Sequence, residues 1–256
     1  MSPEMAFEFE VMISPEERTL IHNAMRMGRR YFERYGLGDA GSVTVFAYRT
    51  LDQLVGGYAH RFGIPIDEAR RRWSGDCSAI SGPGTIFLNT SSCGWREASH
   101  HTRLKLVIHE DFHVLQNNLV GRPVMAAEHE APVAGPRWLI EGSAEYVGWL
   151  VLAESGLERS STAKAEQWAQ AKLITVPLRL METWTGMSAA GIDCGYALAF
   201  AAVEFLLTST GIPISSLSSF WKAIGDGRPW PSAFQAAFGE NIGTFYDSFE
   251  QTRHHT

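Results

Sequence analysis

Apolar residues recur every three to four positions over most of the chain, the spacing expected of helices that bury one face. The first helix is predicted to begin at Ser14-Pro15, where the serine can cap it, and to end near Tyr35, before Gly36. A second helix is predicted at Leu51–Phe62. Further helices are predicted at about 64–68, 98–119, 136–155, 161–174 and 196–208, with two or three short helices after them.

Two short segments are predicted to be strands instead. Val43–Tyr48 alternates between the two faces of a strand, and Thr85–Asn89 follows the turn-forming sequence Gly82-Pro83-Gly84. Both strands precede residue 97, and the rest of the chain is helical in pattern. We therefore predict an α+β chain with an N-terminal α/β lobe over 1–97 and a mainly helical lobe over 98–256, which together form one unit.

The composition fits a globular chain with a large buried core. Of the 256 residues, 45% are hydrophobic and 20% are charged, without a low-complexity tract or an internal repeat. The net charge of −6 and the lack of a long Lys/Arg run argue against a nucleic-acid partner.

The sequence gives little sign of a targeting segment or of cysteine chemistry. The apolar stretch near 196–207 is broken by Glu204 and is short for a membrane span, and residues 1–4 lack the character of a secretory signal. We expect no membrane partner and a cytoplasmic location by default, or secretion if a leader was removed. Cys77 and Cys93 flank a segment that could close as a hairpin, which leaves a disulfide open.

The strongest chemical signal is His109-Glu110-Asp111-Phe112-His113, which matches HExxH inside a predicted helix. Positions four apart lie on one helical face, so His109 and His113 can offer imidazole nitrogens to one metal ion. Glu110 lies beside them, where a carboxylate can accept a proton from metal-bound water. Catalytic zinc typically has three protein ligands, so this motif requires a third ligand elsewhere in the chain.

The segment 136–146 reads PRWLIEGSAEY. It resembles the gluzincin clan of zinc metallopeptidases, and its peptidase-MA-like members, in which a second helix with a WLxEGxAxY-type segment follows HExxH. The resemblance implies that Glu141 is the third zinc ligand and that Glu145, one turn later, hydrogen-bonds a ligand histidine. Alternatively, Glu141 could be an acidic residue favoured near a helix N-terminus, and Glu145 an exposed helical glutamate.

The chain departs from the best-known gluzincins in the spacing of these two motifs. Twenty-seven residues lie between His113 and Glu141, a longer gap than in those enzymes. Turn-forming sequences occur within it, at Gly121-Arg122-Pro123 and at 131–136. We expect part of 114–140 to be a loop over the cleft that shapes substrate access, rather than an extra core element.

The resemblance extends to Tyr196. In the aminopeptidase-N-like branch, a tyrosine opens a similar helix and donates its hydroxyl to the oxyanion of the tetrahedral intermediate. Such a donor typically lowers a barrier by about 3–4 kcal/mol. Tyr196 matches this position, and the alternative is a tyrosine that only packs at a helix start. The GxMEN exopeptidase signature of that branch is absent from this chain, so exopeptidase action is not implied.

The resemblance also implies a zincin-like fold, with a mixed sheet in the first lobe and the metal in the cleft between the lobes. Thr85–Asn89 is expected to be the strand at the cleft edge, which would pair with an extended peptide. The substrate would then be a peptide, or a small molecule if that strand is covered. The oligomeric state is left open by the sequence.

The function expected from this resemblance is a zinc-dependent hydrolase, in particular a metallopeptidase. Zn²⁺ would lower the pKa of its bound water towards about 7, and Glu110 would pass the proton to the leaving amine. The ligands also suit other divalent metals, including non-haem iron. Two alternatives are a zincin-fold enzyme acting on a small molecule, for example in biosynthesis, and a metal-binding regulator without turnover. An intact Glu110 argues against the regulator.

Overall fold

The structure, a computed structural model, describes residues 4–73, 77–124 and 134–255, without the side chains of Ile192, Asp193 and His255. Its strands are β1 (Met5–Phe9), β2 (Val43–Tyr48), β3 (Ala79–Gly82) and β4 (Thr85–Asn89). Its helices are α1 (Pro15–Arg34), α2 (Leu51–Phe62), α3 (Ile66–Arg72), α4 (Cys93–Glu97), α5 (His100–Val120), α6 (Arg137–Glu154), α7 (Ser160–Leu173), α8 (Trp184–Ala189), α9 (Ile192–Thr210), α10 (Ser216–Gly225), α11 (Trp230–Phe238) and α12 (Ile242–His255), with a 3₁₀ turn at Leu178–Glu182.

The predicted α+β class is confirmed in this coarse form. All the described strands precede residue 90, and the described chain after them is helical. The predicted first helix is confirmed in detail, because Ser14 and Glu17 form a reciprocal capping box at the start of α1. The predicted loop within 114–140 falls largely on 125–133, outside the described residues.

The four strands form one mixed sheet with the order β1-β2-β4-β3. The pairs β1–β2 and β2–β4 are parallel, whereas β3 runs antiparallel to β4. The expectation that Thr85–Asn89 is an edge strand is therefore wrong, because β4 is flanked by β2 on one side and β3 on the other. Among the described residues the edge on that side belongs to Ala79–Gly82, a strand that the sequence analysis did not find.

The two faces of the sheet pack against different helices. Phe46 and Phe87 point to one face, where they stack with ring centroids 4.6 Å apart and pack with α2 and α3. Residues on the opposite face, such as Val45 and Ile86, join the main core with α1 and α5. This main core continues into the helices of the second half, so the two predicted lobes share one hydrophobic interior.

Helix α5 occupies the middle of the molecule. It packs against α1 and the β3–β4 side of the sheet, and on its other flank against α6 and α10. Ser99 caps its start by accepting a hydrogen bond from the Thr102 N–H, and Gly121 ends it in the left-handed conformation. Among the described residues, no helix is both long and apolar enough to cross a membrane.

The hairpin predicted around Cys77 and Cys93 corresponds to β3 and β4, followed by α4. The Cys77 thiol donates to Ala79 O at 3.2 Å, and Cys93 Sγ lies 3.5 Å from Arg96 Nη2. Helix α4 follows β4, and α5 begins at His100, so the β3–β4 hairpin and the start of α5 are close in sequence.

Candidate metal centre

Two neighbouring helices carry the predicted metal ligands. His109 and His113 lie on α5, one turn apart, and Glu141 lies in the second turn of α6. Because α5 and α6 pack side by side, these three side chains meet in the interior. Each of the three is buried, with no more than 4% of its surface exposed.

The three candidate donor atoms form a nearly equilateral triangle. His109 Nε2 lies 3.0 Å from His113 Nε2, and Glu141 Oε2 lies 3.2 Å from each of the two nitrogens. In tetrahedral zinc with bonds of about 2.0–2.1 Å, two ligand atoms are separated by about 3.3 Å. The donor set and its spacing therefore fit one zinc-sized ion, with a coordination position to spare.

A metal ion held between these three groups would account for their burial together. Two neutral imidazole nitrogens that face one another at 3.0 Å cannot both act as acceptors without a shared proton or cation between them. Within the described residues, His109, His113 and Glu141 form the one group of His, Cys, Asp and Glu side chains placed to hold a metal ion. The interpretation of the histidines as ordinary core residues, and of Glu141 as a simple helix-start carboxylate, does not account for this convergence.

The ring of His113 is oriented by Gln116. His113 Nδ1 lies 2.6 Å from Gln116 Oε1, and the Gln116 amide donates to Ile140 O at 3.0 Å and to Ser143 Oγ at 2.9 Å. Because the amide nitrogen of Gln116 donates to Ile140 O, its amide oxygen faces the ring and accepts a hydrogen bond from the Nδ1–H of His113. The lone pair of His113 is thereby left on Nε2, directed at the donor triangle.

The ring of His109 faces Glu145, the residue for which the resemblance implied a hydrogen bond to a ligand histidine. His109 Nδ1 lies 3.3 Å from Glu145 Oε2, an ion-pair distance whose angle falls short of a good hydrogen bond. Glu145 is itself held by an ion pair with Lys105 and by the Trp149 indole, which donates to Oε1 at 3.1 Å. The alternative of an exposed Glu145 is wrong, since only 5% of its surface is accessible.

The charges of the centre are set by these contacts. Burial acts against a charged Glu141, but Arg137 and the two histidines hold the pKa of its carboxyl well below the usual range. Burial likewise opposes a charged Glu145, but Lys105 and His109 lower its pKa to about 2. Both carboxylates are therefore charged at neutral pH, which favours a cation at the triangle.

Glu110 and Tyr196 lie at the edge of the same centre. Glu110 is buried, and its Oε2 atom has no hydrogen-bond partner among the described residues. The ring of Tyr196 lies 5.8 Å from the His109 ring, edge to face. Burial raises the pKa of Tyr196 well above its usual value, and the Glu141 charge adds to this. Its hydroxyl is therefore a neutral hydrogen-bond donor.

The placement of Tyr196 on its helix differs from the expectation. Helix α9 begins at Ile192, so Tyr196 lies in its second turn and does not open it. Two glycines, Gly191 and Gly195, precede Tyr196 in the sequence. Only Gly191 acts as a helix boundary, with a φ of 83°, and Gly195 is helical.

Asp111, inside the HExxH motif, has a structural partner. It forms a salt bridge with Arg29. Arg29 on α1 contacts both carboxylate oxygens of Asp111 at 2.7 Å and also donates to Gly41 O. Since Asp111 is fully buried, this pair ties α1 to the centre of α5.

Three residues of the centre were missed by the sequence analysis. Lys105 precedes His109 by one turn, Gln116 follows His113 by nearly one turn, and Arg137 precedes Glu141 by one turn. Helical spacing places each on the same face as the ligand that it supports. The sequence contains that spacing, but it does not tell which neighbour of a candidate ligand faces the donor triangle and which faces another helix.

Comparison with known proteins adds no family assignment. A search against protein-family models and a search of curated proteins both found no match to this chain. The functional argument therefore depends on the chemistry of the residues described above.

Proposed function

We propose that this protein is a zinc-dependent hydrolase with a zincin-like fold, and specifically a metallopeptidase of the gluzincin kind. The observation that carries the proposal is the donor triangle of His109, His113 and Glu141, with His113 Nδ1 hydrogen-bonded to Gln116 outside it and His109 Nδ1 facing Glu145. Ligand histidines are held in this way in protein metal sites, because the acceptor fixes the tautomer and the ring orientation.

Zinc is the metal that the donor set favours. Two imidazoles and one carboxylate within a buried, closely spaced triangle suit a tetrahedral ion with one open position. The same donors occur in non-haem iron sites, but those need several open positions for oxygen and cosubstrate. A buried carboxylate next to the ligand set, as Glu110 is here, is the group that hydrolysis requires. When bound, zinc would supply a Lewis acid that polarises water and the substrate carbonyl.

The protein groups around the triangle can perform the proton transfers of hydrolysis. Glu110 has a buried carboxylate oxygen without a partner, so it can accept a proton from the attacking water and deliver it to the leaving amine. Tyr196 carries a neutral hydroxyl near the His109 ring, so it can donate to an oxyanion that develops on the substrate. Neither role requires a change in the ligand set.

A peptide substrate would bind along β3, not along the strand first expected. The register pairs Ile80 with Phe87 and Gly82 with Thr85, and Asn89 N donates to Ser78 O at 2.8 Å. In an antiparallel ladder of this register, the backbone groups of Ala79 and Ser81 point away from β4. An extended peptide could pair with these groups beside α5.

A small-molecule substrate is the second candidate. The order of the strands favours it over a peptide paired along Thr85–Asn89. The strand first assigned to peptide pairing, β4, is covered on both sides, and the remaining edge, β3, has only four residues. Ala79 O on that edge also accepts a hydrogen bond from the Cys77 thiol. If β3 does not accept a peptide strand, the same metal chemistry would act on a smaller ester or amide.

The test combines metal analysis with hydrolysis assays on the wild type and Glu110→Gln. We expect one zinc per chain in both proteins, and cleavage of a peptide library by the wild type alone. Glu110→Gln is a close match in size, so lost cleavage with retained zinc would assign the proton transfer to the carboxylate. Cleavage of small amides or esters without peptide cleavage would select the second candidate. Absence of stoichiometric metal in the wild type would refute the proposal.

A further inference from the structure

The two oxygens of the Glu141 carboxylate have different partners. Oε2 belongs to the donor triangle, 3.2 Å from both ligand nitrogens. Oε1 points away from it and lies 2.9 Å from Arg137 Nη2, at ion-pair distance. Carboxylates bind metals through one oxygen or through both, so the partner of Oε1 decides which mode is open to Glu141.

Arg137 is held in place by its surroundings. It is the first residue of α6, one turn before Glu141, and its side chain is only 15% exposed. Its guanidinium carbon lies 4.6 Å from the centre of the Trp184 ring, so α8 covers one face of the group. Arg137 Nε is buried and has no hydrogen-bond partner among the described residues. Among the described residues, the guanidinium therefore meets Glu141 Oε1 as an ion pair, and this oxygen has no hydrogen-bond partner there.

A guanidinium suits this task better than other side chains. Arginine stays protonated in proteins, so Arg137 can occupy a carboxylate oxygen next to a cation without becoming a ligand itself. Its planar group is also restrained by the stack on Trp184, which limits the loss of side-chain entropy on pairing. A solvent-exposed ion pair would be too weak to restrain a ligand, but both members of this pair are largely buried.

We propose that Arg137 is a positioning residue that restricts Glu141 to coordination through Oε2 alone, and so keeps the metal four-coordinate with an open position. This inference rests on the proposed metal centre, although not on the identity of the substrate. Without Arg137, Oε1 would be free to turn toward a bound ion as an additional ligand beside the water, which would raise the coordination number from four to five. Trp184 contributes by fixing the plane of the guanidinium.

Cobalt substitution measures this directly, because the visible absorption of Co²⁺ weakens when its coordination number rises from four to five. We would load the metal-free wild type and Arg137→Met with Co²⁺ and compare the absorption per bound ion. We expect a four-coordinate spectrum for the wild type and a clear loss of visible intensity for Arg137→Met. Arg137→Lys should lie between them, because lysine restores the charge without the planar fork.

Arg34→Met is the matched control. Arg34 also pairs with a glutamate of α6, Glu154 at its last residue, and its guanidinium carbon lies 5.7 Å from the centre of the Tyr35 ring. Glu154 is not part of the donor triangle. We expect Arg34→Met to keep the cobalt absorption of the wild type. Should Arg137→Met fail to fold, Arg137→Gln provides the same comparison.

The outcomes separate this inference from the proposed function. A spectrum of Arg137→Met identical to that of the wild type would overturn the inference, even if its metal affinity fell, since lower affinity alone would indicate only a supporting contact. A wild type that binds neither Zn²⁺ nor Co²⁺ would overturn the metal centre itself. The absorption of bound cobalt does not depend on turnover. A failed search for substrates would therefore not decide whether Arg137 restricts the coordination of Glu141.

Discussion

At the scale of single residues, the metal motif depends on side chains that the HExxH pattern does not contain. His113 is aimed by Gln116, which is itself fixed by Ile140 O and Ser143 Oγ on the neighbouring helix. His109 is aimed by Glu145, which Lys105 and Trp149 hold. The two rings are thus oriented by contacts of different kinds, one a neutral amide and the other a carboxylate.

Replacing Gln116 should weaken metal binding without unfolding the protein. Gln116→Met has a similar volume, but it removes the acceptor for His113 Nδ1 and leaves the ring free to rotate or change tautomer. Loss of such a supporting contact typically lowers metal affinity by about 10–100-fold. Competition with a chromophoric zinc chelator would measure this change.

A second glutamine provides the control for this experiment. Gln235 is exposed on α11, remote from the ligands in sequence, so Gln235→Met should leave zinc affinity unchanged. Circular dichroism would verify that both variants are folded. Equal zinc affinity for Gln116→Met and the wild type would mean that the Gln116 contact does not orient His113.

The stability of the metal-free protein should depend on pH through His109. Burial alone would lower the pKa of His109, but Glu141 and Glu145 raise it to about 9, above its ordinary value of 6.5. A group whose folded pKa is raised stabilises the folded state fully below pH 6.5, and this contribution is lost as the pH rises through 9. We therefore expect the free energy of unfolding of the metal-free protein to fall between pH 6.5 and 9.

Urea unfolding across this pH range, in the presence of a chelator, would measure the decrease. His109→Gln should flatten the pH dependence, because the titrating ring is absent. Bound zinc should flatten it too, since the metal replaces the proton on the ring. An unfolding free energy of the metal-free wild type that rises between pH 6.5 and 9 would contradict the expected protonation of His109.

At the scale of elements, the close approach of α6 and α9 determines where Glu141 and Tyr196 stand relative to each other. Gly142, next to the candidate ligand, faces the backbone of α9. A Cβ atom at Gly142 would lie 2.3 Å from Ala199 O and 2.6 Å from the Ala199 carbonyl carbon. A backbone carbonyl inside a helix cannot move aside as a flexible side chain can, so the two helices would have to separate.

Gly142→Ala should therefore destabilise the protein although alanine favours helices. The overpacking costs about 1–3 kcal/mol or more, against a gain of about 1 kcal/mol in helix propensity. Gly56→Ala in α2 is the control, since a Cβ there meets no atom within 4 Å. That variant should gain roughly 0.5–1 kcal/mol. Chemical denaturation of the metal-free proteins would compare them, and equal stabilisation by both substitutions would refute the close approach.

The elements that the sequence predicted are those with strong local signals. The capping residues Ser14 and Glu17 marked the start of α1, and the boundaries of β2, β4 and α2 matched the prediction. β1 and β3 were missed, and β3 is only four residues long. β3 also contains a glycine, which weakens strand signals. The order of strands is a property of tertiary packing, so β4 could not be assigned to the inside from its own sequence.

In the candidate site, too, the residues that could be predicted are those with a local sequence signal. The spacing of His109, Glu110 and His113 is local, and it was sufficient to predict two neighbouring ligands. Glu141 was found only through the resemblance of its segment to a known one, because 27 residues separate it from His113. The position of Arg137 over Trp184 depends on how α6 meets α8, which no local pattern encodes.

At the scale of the whole molecule, the sheet and the helical half meet at α5, with β3 alongside it. The β3 edge of the sheet and the donor triangle therefore both adjoin helix α5. This arrangement makes the outward backbone groups of Ala79 and Ser81 the test of whether the substrate is a peptide.

Ser81→Pro should separate peptide from small-molecule hydrolysis. Proline removes the outward N–H of Ser81 but no hydrogen bond to β4, and edge strands tolerate proline. The Ser81 hydroxyl has no hydrogen-bond partner among the described residues, so its loss should cost little. One backbone hydrogen bond is worth about 1 kcal/mol, so kcat/KM for peptides should fall by at least roughly fivefold.

Ser81→Ala is the matched control, because it loses the hydroxyl and keeps the N–H. A peptidase that binds its substrate along β3 should keep its peptide kcat/KM in Ser81→Ala and lose it in Ser81→Pro, with zinc content and hydrolysis of a small chromogenic ester unchanged in both. If peptide cleavage is the same in the two variants, the peptide does not pair with this edge. The covered β4 and the four-residue β3 would then favour a substrate that needs no strand pairing, held by the metal centre alone.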